Sequence, residues 1–367
     1  MLPEVGTEGQ LKLKAARVVV VGAGGLGAPA IMYLAAAGVG TLGMVDDDRV
    51  EESNLQRQII HATEHVGASK TSSARAAVAR INPHVEVVSH DVRLRAANAR
   101  DVLQGYDIVI DGTDNFPTRY LISDACVLLG KPNVYGSIQR FEGQASIFDA
   151  RKGPCYRCLF PQPPPPGSVP SCAEAGVLGV LPGMVGLMQA TETIKLILGI
   201  GESLIGRLLL FDALEMRFRE MRLRKDEDCP ACGAASSMRD LSDHESPHMD
   251  LSLPQTGADA TSVQDITPRE LAEVLKLGRP FALVDVREDR ELKLCALQYT
   301  AHIPVGQLAN RLGELDAAAE TVVYCRSGAR SSSAAKMLRE AGFPNVRNLA
   351  GGILAWIDDV DPTLAKY

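Results

Sequence analysis

Hydrophobic residues in the first half of the chain form short continuous runs separated by helical stretches. Four valines follow Arg17 and lead into a glycine turn and an apolar helical stretch. Two similar runs, TLGMVD ending at Asp46 and DIVIDGTDN, lie on either side of a helical pattern from Ser69 to Arg80. Continuous apolar runs predict strands buried on both faces of a parallel sheet. The alternation predicts a doubly wound α/β sheet with its ligands at the carboxyl ends of the strands.

The pattern changes after about residue 150, where a proline-rich loop interrupts it. The segment from Arg151 to Cys172 holds seven prolines, which cannot continue a helix or a central strand. An apolar helix from about Met184 to Leu198 and the strand LLLFDA follow. Residues 234–263 are rich in Ser, Asp, Gly and Pro and predict a flexible linker with a reach of about 30 Å.

A second α/β pattern begins near Ile266. TPRELAEVLKLG predicts a helix capped by Thr267, FALVDVRE predicts a strand, and TVVYCRSGARSSSAAKMLREAG predicts a strand, a tight loop and a helix. About 100 residues suffice for a small domain. We therefore expect an α/β domain over residues 1–233, a linker over 234–263 and a smaller α/β domain over 264–367.

Charge and composition argue against several classes of protein. Lys and Arg number 38 against 45 Asp and Glu, so a net charge of −7 would repel nucleic acid. The apolar runs are much shorter than the roughly 20 residues of a membrane span. The first ten residues, MLPEVGTEGQ, do not resemble a secretory signal. We expect a soluble, cytoplasmic protein that binds neither nucleic acid nor a membrane.

The glycine turn after the first strand has the spacing of a nucleotide-binding loop. G-x-G-x-x-G lets backbone N–H groups and a helix N-terminus approach phosphates. Asp46 ends the next strand, where a carboxylate can accept hydrogen bonds from ribose hydroxyls. The candidate glycines are Gly22, Gly24, Gly25 and Gly27. An NAD-dependent oxidoreductase and a tight turn without a ligand both remain alternatives at this point.

Polar residues farther along the chain favour phosphoryl or nucleotidyl transfer. Charge builds up on phosphate oxygens in such a reaction and must be met by Arg, Lys and Mg²⁺, whereas hydride transfer needs no such cluster. Taken singly, Arg57 and Lys70 fit solvated surface charges equally well, and Asp114 fits a helix N-cap. The candidate residues are Ser53, Asn54, Arg57, Gln58, Lys70, Asp114 and Asn115.

VVVGAGGLG, SNLQRQ, Lys70 and DGTDN together resemble the E1-like adenylating enzymes of the MoeB/ThiF type, from about Leu2 to Gly233. The resemblance implies a Rossmann-like domain and a homodimer. It assigns Gly25 and Asp46 to the nucleotide, Ser53 to Arg57 and Lys70 to its phosphates, and Asp114 with Asn115 to Mg²⁺ and adenine. The implied reaction is attack by the C-terminal glycine carboxylate of a ubiquitin-like carrier ending in Gly-Gly on the α-phosphate of ATP.

The family usually carries an R-Y-x-R segment just ahead of L-P-E-V-G, and its arginine reaches the nucleotide across the dimer. The printed chain begins at Met1 with no such segment. Either the natural start lies upstream of Met1 or the protein lacks this contact, and a missing charge-assisted contact lowers a catalytic rate. A non-catalytic scaffold that binds ATP and a carrier is therefore a second alternative.

Eight cysteines in a reducing compartment indicate metal or reactive thiols. Two C-x-x-C pairs supply the four thiolates that a structural Zn²⁺ prefers, with redox-active dithiols as the alternative. The resemblance places zinc on the same four positions, Cys155, Cys158, Cys229 and Cys232. It also gives Cys172 a role, as a thiol that attacks the adenylate or forms an acyl disulfide. Cys126 and Cys295 are expected to be packing thiols.

Cys325 ends the strand TVVYC and opens the loop Cys325-Arg326-Ser327-Gly328-Ala329-Arg330 ahead of a helix. Successive backbone N–H groups, a helix N-terminus and two arginines favour a thiolate and would stabilise a persulfide anion. Residues from about Ile266 to Trp356 resemble the rhodanese domain. For Asp285 and Arg287 of the LVDVRE segment, we expect a structural role.

An adenylating domain joined to a sulfur-donating domain is similar to proteins of the MoeZ and MOCS3/Uba4 type. The combination implies an adenylyltransferase and sulfurtransferase that converts a MoaD/ThiS-like carrier into a C-terminal thiocarboxylate. A cysteine desulfurase or thiosulfate would supply the persulfide. Molybdopterin synthesis is the expected pathway, with thiamine or cysteine synthesis and tRNA thiolation as alternatives.

Overall fold

The computed structural model describes residues 2–164, 176–243, 263–277 and 281–366. The chain divides into two units, Met1–His248 and Met249–Tyr367. Each unit is built around its own sheet, and the two are described separately.

The first unit is organised around an eight-stranded sheet. Its strands are β1 Arg17–Val21, β2 Thr41–Val45, β3 Glu86–His90, β4 Ile108–Asp111, β5 Asn133–Gln139, β6 Glu142–Phe148, β7 Arg207–Asp212 and β8 Arg217–Arg222. They lie in the order β3-β2-β1-β4-β5-β6-β7-β8. The strands from β3 to β5 are parallel, and β6 to β8 add an antiparallel edge. The order in which strands are added to the sheet reverses at β1, with β2 on one side and β4 on the other. In such sheets ligands bind where the carboxyl ends of these strands meet.

Helices cover both faces of this sheet. They are α1 Gly6–Ala15, α2 Gly27–Ala37, α3 Lys70–Ile81, α4 Ala96–Gln104, α5 Phe116–Leu129, α6 Tyr156–Leu159 and α7 Leu181–Leu198. Helix α7 begins three residues before the predicted start at Met184, because Pro182 fits the first turn, where no N–H is needed. Short 3₁₀ turns at Glu52–Asn54 and Thr63–His65 connect β2 to α3.

The run of four valines in β1 is buried on both sides, as the sequence predicts. Val18 and Val20 belong to the core beneath α2 and α7, whereas Val19 and Val21 belong to the core beneath α4 and α5. All four are at most 3% exposed, so the strand is held between two apolar layers. This burial fixes the position of the glycine turn that follows.

The second unit has a five-stranded parallel sheet. Its strands are β9 Gln264–Ile266, β10 Ala282–Asp285, β11 Ala301–His302, β12 Thr321–Tyr324 and β13 Val346–Leu349, in the order β11-β10-β12-β13-β9. Its helices are α8 Pro268–Lys276, α9 Asp289–Leu292, α10 Ala329–Glu340 and α11 Gly352–Asp359. Thr267 caps α8 by accepting from the Glu270 N–H at 3.3 Å, as the sequence predicts.

Part of the segment predicted as a linker belongs to the first unit and packs on its core. Met238 lies against the cysteine cluster, and Leu241 packs on the core beneath α4 and α5. The Asp243 carboxylate accepts from the Ala96 N–H at 2.7 Å, at the first residue of α4. Polar composition alone gives no sign of such contacts, because each depends on one side chain.

In the part of the chain that the structure describes, no helix combines the length and apolar character needed to cross a membrane.

Candidate active sites and metal centre

The glycine turn between β1 and α2 has no room for a Cβ against the backbone at Gly22 and Gly27. Gly22 has φ +96°, and a Cβ there would lie 2.7 Å from the Gly112 carbonyl oxygen. A Cβ on Gly27 would lie 1.8 Å from the Gly22 carbonyl oxygen. Gly24 differs, because a Cβ there would come within 4 Å of only one group, Gln58 Nε2 at 3.7 Å. The fold therefore leaves open space beside Gly24.

Asp46 and Lys70 meet at the carboxyl end of β2. The Asp46 carboxylate accepts from the N–H of Ala23, in the glycine turn, and from that of Asp48, at 2.8 and 2.9 Å. Lys70 Nζ lies 4.0 Å from Asp46 and 2.7 Å from the exposed Asp48 carboxylate. Burial raises the pKa of Asp46, and the charge of Lys70 partly offsets this effect. Lys70 is buried, so the alternative of a solvated surface charge does not hold.

The segment from Ser53 to Gln58 lies beside the same turn. The methylene groups of Arg57 lie near Gly25: Arg57 Cγ is 3.6 Å from the position that a Cβ on Gly25 would take. Arg57 Nη1 donates to the Ser53 carbonyl at 3.2 Å. Gln58 is 4% exposed, and its Oε1 is one of the buried side-chain atoms without a hydrogen-bond partner among the described residues. Asn54 has a local structural role, accepting from the Glu51 N–H at 3.3 Å.

Asp114 and Asn115 lie in the turn after β4. Gly112 of this turn lies against the glycine turn, with the Gly22 carbonyl oxygen 3.0 Å from the position of an added Cβ. Both Asp114 and Asn115 are exposed. Asn115, not Asp114, caps α5, because its Oδ1 accepts from the Thr118 N–H at 3.0 Å. The Asp114 carboxylate is thus not used as the helix cap.

Sequence reasoning missed Arg119, whose buried guanidinium forms hydrogen bonds with the end of β4 and with this turn. Its guanidinium donates to Asp111 Oδ2 at 3.2 Å and to the carbonyl oxygens of Thr113 and Gly136 at 2.9 and 3.2 Å. Burial acts to lower the pKa of Arg119, but the Asp111 carboxylate raises it overall. No motif points to Arg119, since its partners become neighbours only when β4, α5 and β5 assemble.

The four cysteines of the two C-x-x-C pairs form one cluster. Cys155 Sγ lies 3.8 Å from Cys158 Sγ and 3.5 Å from Cys229 Sγ, and Cys158 Sγ lies 3.5 Å from Cys232 Sγ. All four sulfur atoms lie within 4.8 Å of one another, so the set could hold a metal ion. Pairs that are 74 residues apart in sequence meet here, as the spacing predicts.

Two thiols of this cluster, Cys155 and Cys232, are in an environment that opposes their ionisation without a cation. Burial and the neighbouring thiols raise the pKa of Cys155 well above its usual range, and burial raises that of Cys232 to about 11. Burial also acts against Cys229, but the N–H groups of Cys232 and Ala231 lower its pKa overall. A divalent ion would remove this conflict, because it binds thiolates and displaces their protons.

Cys325 directly follows β12 and opens the loop that leads into α10. Its thiol is fully buried, and the Gly328 N–H and the Ser331 hydroxyl donate to Sγ at 3.1 and 3.3 Å. Gly328 has φ +91°. Ser331, which sequence reasoning missed, follows the motif by one residue.

The charged residues around this loop are paired. Arg330 donates two hydrogen bonds of 2.7 Å to the Glu291 carboxylate, so its charge is shared with a neighbouring acid. Asp285 and Arg287 form a fully buried ion pair at 2.6 Å, and Arg287 also donates to the Cys295 carbonyl at 3.0 Å. Asp285 and Arg287 therefore have a structural role in the second unit.

Two further cysteines are packing thiols, and one lies outside the described residues. Cys126 and Cys295 are buried, and burial raises the pKa of Cys126. Cys172 falls outside the described part of the chain, so its predicted role stays a prediction.

Comparison with known proteins matches both halves of the chain. The ThiF family matches residues 1–231, and the rhodanese-like domain matches residues 267–359. The chain belongs to the ThiF family. It is 48% identical to the probable adenylyltransferase/sulfurtransferase MoeZ of Mycobacterium tuberculosis, over 100% of this chain and 93% of that protein. It is 44% identical to the adenylyltransferase and sulfurtransferase MOCS3-2 of Zea mays, over 100% and 79%.

Solved structures share the fold over part of the chain. Escherichia coli MccB, crystallised with MccA-N7isoASN, superposes with a TM-score of 0.56 at 22% identity, covering 61% of this chain and 69% of that one. Because both domains match this chain and relatives that cover all of it are named for both activities, the chain is an adenylyltransferase and sulfurtransferase. The predicted α/β fold with a second, rhodanese domain is confirmed.

Proposed function

We propose that this enzyme activates the C-terminal glycine carboxylate of a ubiquitin-like sulfur carrier with ATP and then converts it into a thiocarboxylate. One observation carries the proposal. A single chain joins a glycine turn surrounded by Asp46, Arg57 and Lys70 to a loop that buries the Cys325 thiol under two hydrogen-bond donors. Molybdopterin synthesis is the proposed pathway.

In the first step, the carrier carboxylate attacks the α-phosphorus of ATP. The bond to the β-phosphate breaks, and the products are an acyl adenylate and pyrophosphate. Arg57 and Lys70 are proposed to bind the phosphates, where their charges offset the charge of the transition state. Lys70 must exchange Asp48 for a phosphate oxygen to do so. The remaining proposed nucleotide contacts are Gly22, Gly24, Gly25, Gly27, Ser53, Asn54, Gln58 and Asn115.

Asp114 is proposed to hold Mg²⁺. Its exposed carboxylate, next to the glycine turn, is the type of ligand that Mg²⁺ uses beside phosphates. The ion would neutralise charge on the phosphate oxygens.

In the second step, the terminal sulfur of a persulfide on Cys325 attacks the acyl carbon of the adenylate. The bond to AMP breaks, which leaves an acyl disulfide between the carrier and Cys325. A thiolate then attacks the Cys325 sulfur, the thiocarboxylate leaves, and the new disulfide is reduced by a cellular dithiol. We propose a cysteine desulfurase or thiosulfate as the source of the persulfide, and Cys172 as a thiol that holds the acyl group, as a thioester or an acyl disulfide, until it is released.

Zn²⁺ is proposed on Cys155, Cys158, Cys229 and Cys232, where four sulfur atoms match its structural preference. It would join the loop after β6 to the segment after β8. It has no part in the reaction. The homodimer and the cytoplasmic location stay predictions.

Intact mass of the carrier tests the proposal. The full-length enzyme is incubated with MoaD-like or ThiS-like carriers, ATP-Mg and thiosulfate or a persulfide donor. We expect the carrier that belongs to the pathway to gain the mass of one oxygen-to-sulfur replacement. Cys325→Ala should abolish this gain while pyrophosphate release continues.

The matched pair Lys70→Ala and Arg75→Ala separates catalysis from surface charge on the same helix. Lys70 is buried beside Asp46, whereas Arg75 is exposed. Lys70→Ala should abolish pyrophosphate release, and Arg75→Ala should not change it. ATP and carrier binding without pyrophosphate release from the wild type would instead support a non-catalytic scaffold.

A further inference from the structure

The peptide unit that joins Ala23 to Gly24 is held at its carbonyl by a buried histidine. His61 Nε2 lies 3.0 Å from the Ala23 carbonyl oxygen, and His61 is 7% exposed. The N–H of Ala23 belongs to the preceding peptide unit and donates to Asp46 Oδ2 at 2.8 Å. Ala23 is therefore fixed on both sides, by residues from two different segments.

The geometry determines which group donates and which accepts in each hydrogen bond around His61. A carbonyl oxygen only accepts, so His61 Nε2 must carry the proton and Nδ1 of the neutral ring must accept. Ser73 Oγ lies 2.9 Å from His61 Nδ1 and 3.1 Å from His65 Nδ1. The Ser73 hydroxyl therefore donates to His61 and accepts from His65. Burial lowers the pKa of His61, and the charge of Lys70 acts in the same direction, which favours the neutral ring.

The orientation of the Ala23 carbonyl determines that of the next N–H. In a planar trans peptide, the carbonyl and the N–H of the same unit point in opposite directions. With the Ala23 carbonyl turned towards His61, the Gly24 N–H points away from it. In the described part of the chain the Gly24 N–H has no hydrogen-bond partner, and a Cβ on Gly24 would come near only Gln58 Nε2.

We propose that His61 is a positioning residue of the nucleotide site, which keeps the Gly24 N–H turned towards the phosphates of ATP. Glycine adopts many backbone conformations, so the peptide before Gly24 would flip easily without a partner for its carbonyl. A flip would present a carbonyl oxygen to the phosphates instead of an N–H. The inference rests on the proposed function, since it assumes that this turn binds ATP.

Two substitutions of similar size separate the hydrogen bond from packing. In His61→Gln the side-chain amide can still reach the Ala23 carbonyl with an N–H, because glutamine matches the length of histidine to Nε2. In His61→Asn the amide is one methylene shorter and does not reach. The exposed His84 provides the control variant His84→Asn.

The measurement is the affinity of the full-length variants for ATP-Mg, by calorimetry, and for adenosine, by equilibrium dialysis. We expect His61→Asn to weaken ATP binding about tenfold, the effect of one lost hydrogen bond to a charged group, and to change adenosine binding less than twofold. His61→Gln should restore most of the ATP affinity. Ser73→Ala, which leaves every loop atom in place, should show the same selective loss to a smaller extent.

The outcomes distinguish this inference from the proposed function. If the wild type does not bind ATP, both are wrong. If the wild type binds ATP and His61→Asn binds it equally well, only the inference is wrong. Equal losses for ATP and adenosine in both His61→Asn and Ser73→Ala would also overturn it, because they would show a general loss of structure.

Discussion

At the scale of single residues, the Cys325 thiol has a polar neighbour that the loop motif does not include. Ser331 is buried in the first turn of α10 and reaches back to Sγ at 3.3 Å. Its hydroxyl also lies 3.1 Å from the Gly328 carbonyl oxygen, so it has two acceptors for one proton. A charged acceptor forms the stronger hydrogen bond. Ionisation of the thiol or its persulfide would therefore draw the Ser331 proton to sulfur.

Ser331→Ala should lower the rate of sulfur transfer from thiosulfate to cyanide. The reason is the loss of one donor to the negatively charged sulfur, and we expect kcat/KM to fall roughly tenfold. Ser333→Ala is the control, because Ser333 is exposed on the same helix. Thiocyanate release gives the rate. An unchanged rate in Ser331→Ala would show that the hydroxyl donates to the Gly328 carbonyl and does not stabilise the charged sulfur.

Glu291 should make the stability of the second unit sensitive to acid. Burial acts to raise the pKa of Glu291, but its hydrogen bonds with Arg330 lower it overall. A carboxyl with a lowered pKa in the folded state stabilises the fold above its ordinary pKa of about 4.5 and loses this effect as the pH falls. Between about pH 5 and pH 3, the melting temperature of this unit should therefore fall less in Glu291→Gln than in the wild type. Calorimetry of the full chain across this range measures it, and parallel curves would contradict it.

At the scale of elements, the sequence predicts best those features that a local pattern determines. The valine run of β1, the turn that follows it and the Thr267 cap of α8 each depend on a few neighbouring residues. His61, Arg119 and Glu291 carry no such pattern. Their partners come from other elements, so their roles become visible only in the fold.

The same reasoning explains why the cysteine cluster could be predicted and the docked end of the linker could not. Two C-x-x-C pairs share one chemical requirement, so a single ion explains both. Leu241 and Asp243 are common residues in a polar segment, and neither belongs to a motif that would predict its contact with the core beneath α4 and α5 or with the Ala96 N–H. Composition describes such a segment on average and misses single contacts.

Cys232→Ala should remove zinc and loosen the two segments that the cluster joins. The purified wild type is expected to contain one zinc per chain by atomic emission. Loss of one thiolate weakens the site greatly, because three thiolates no longer complete the tetrahedral set that structural Zn²⁺ takes. We expect zinc to be absent and the first unit to melt at a lower temperature. Cys126→Ala, which removes a buried thiol outside the cluster, should keep its zinc; loss there as well would argue against the assignment.

At the scale of the whole molecule, the two units have separate cores. The described residues of each hydrophobic cluster come from one unit or from the other. Each unit therefore buries its own set of apolar side chains. The described contacts of the nucleotide site come from the first unit and those around Cys325 from the second, so a change in one set should leave the stability of the other unit unaltered.

Calorimetry of the full chain should accordingly show two unfolding transitions, of which ATP-Mg shifts only one. A ligand stabilises the state that binds it, by about 2.7 kcal/mol at a hundredfold excess over Kd. Because the proposed contacts of ATP all lie in the first unit, the transition of that unit should move to higher temperature. Lys70→Ala should reduce this shift, whereas Cys325→Ala should preserve it. A shift of both transitions by ATP would mean that the units unfold together, and it would contradict their independence.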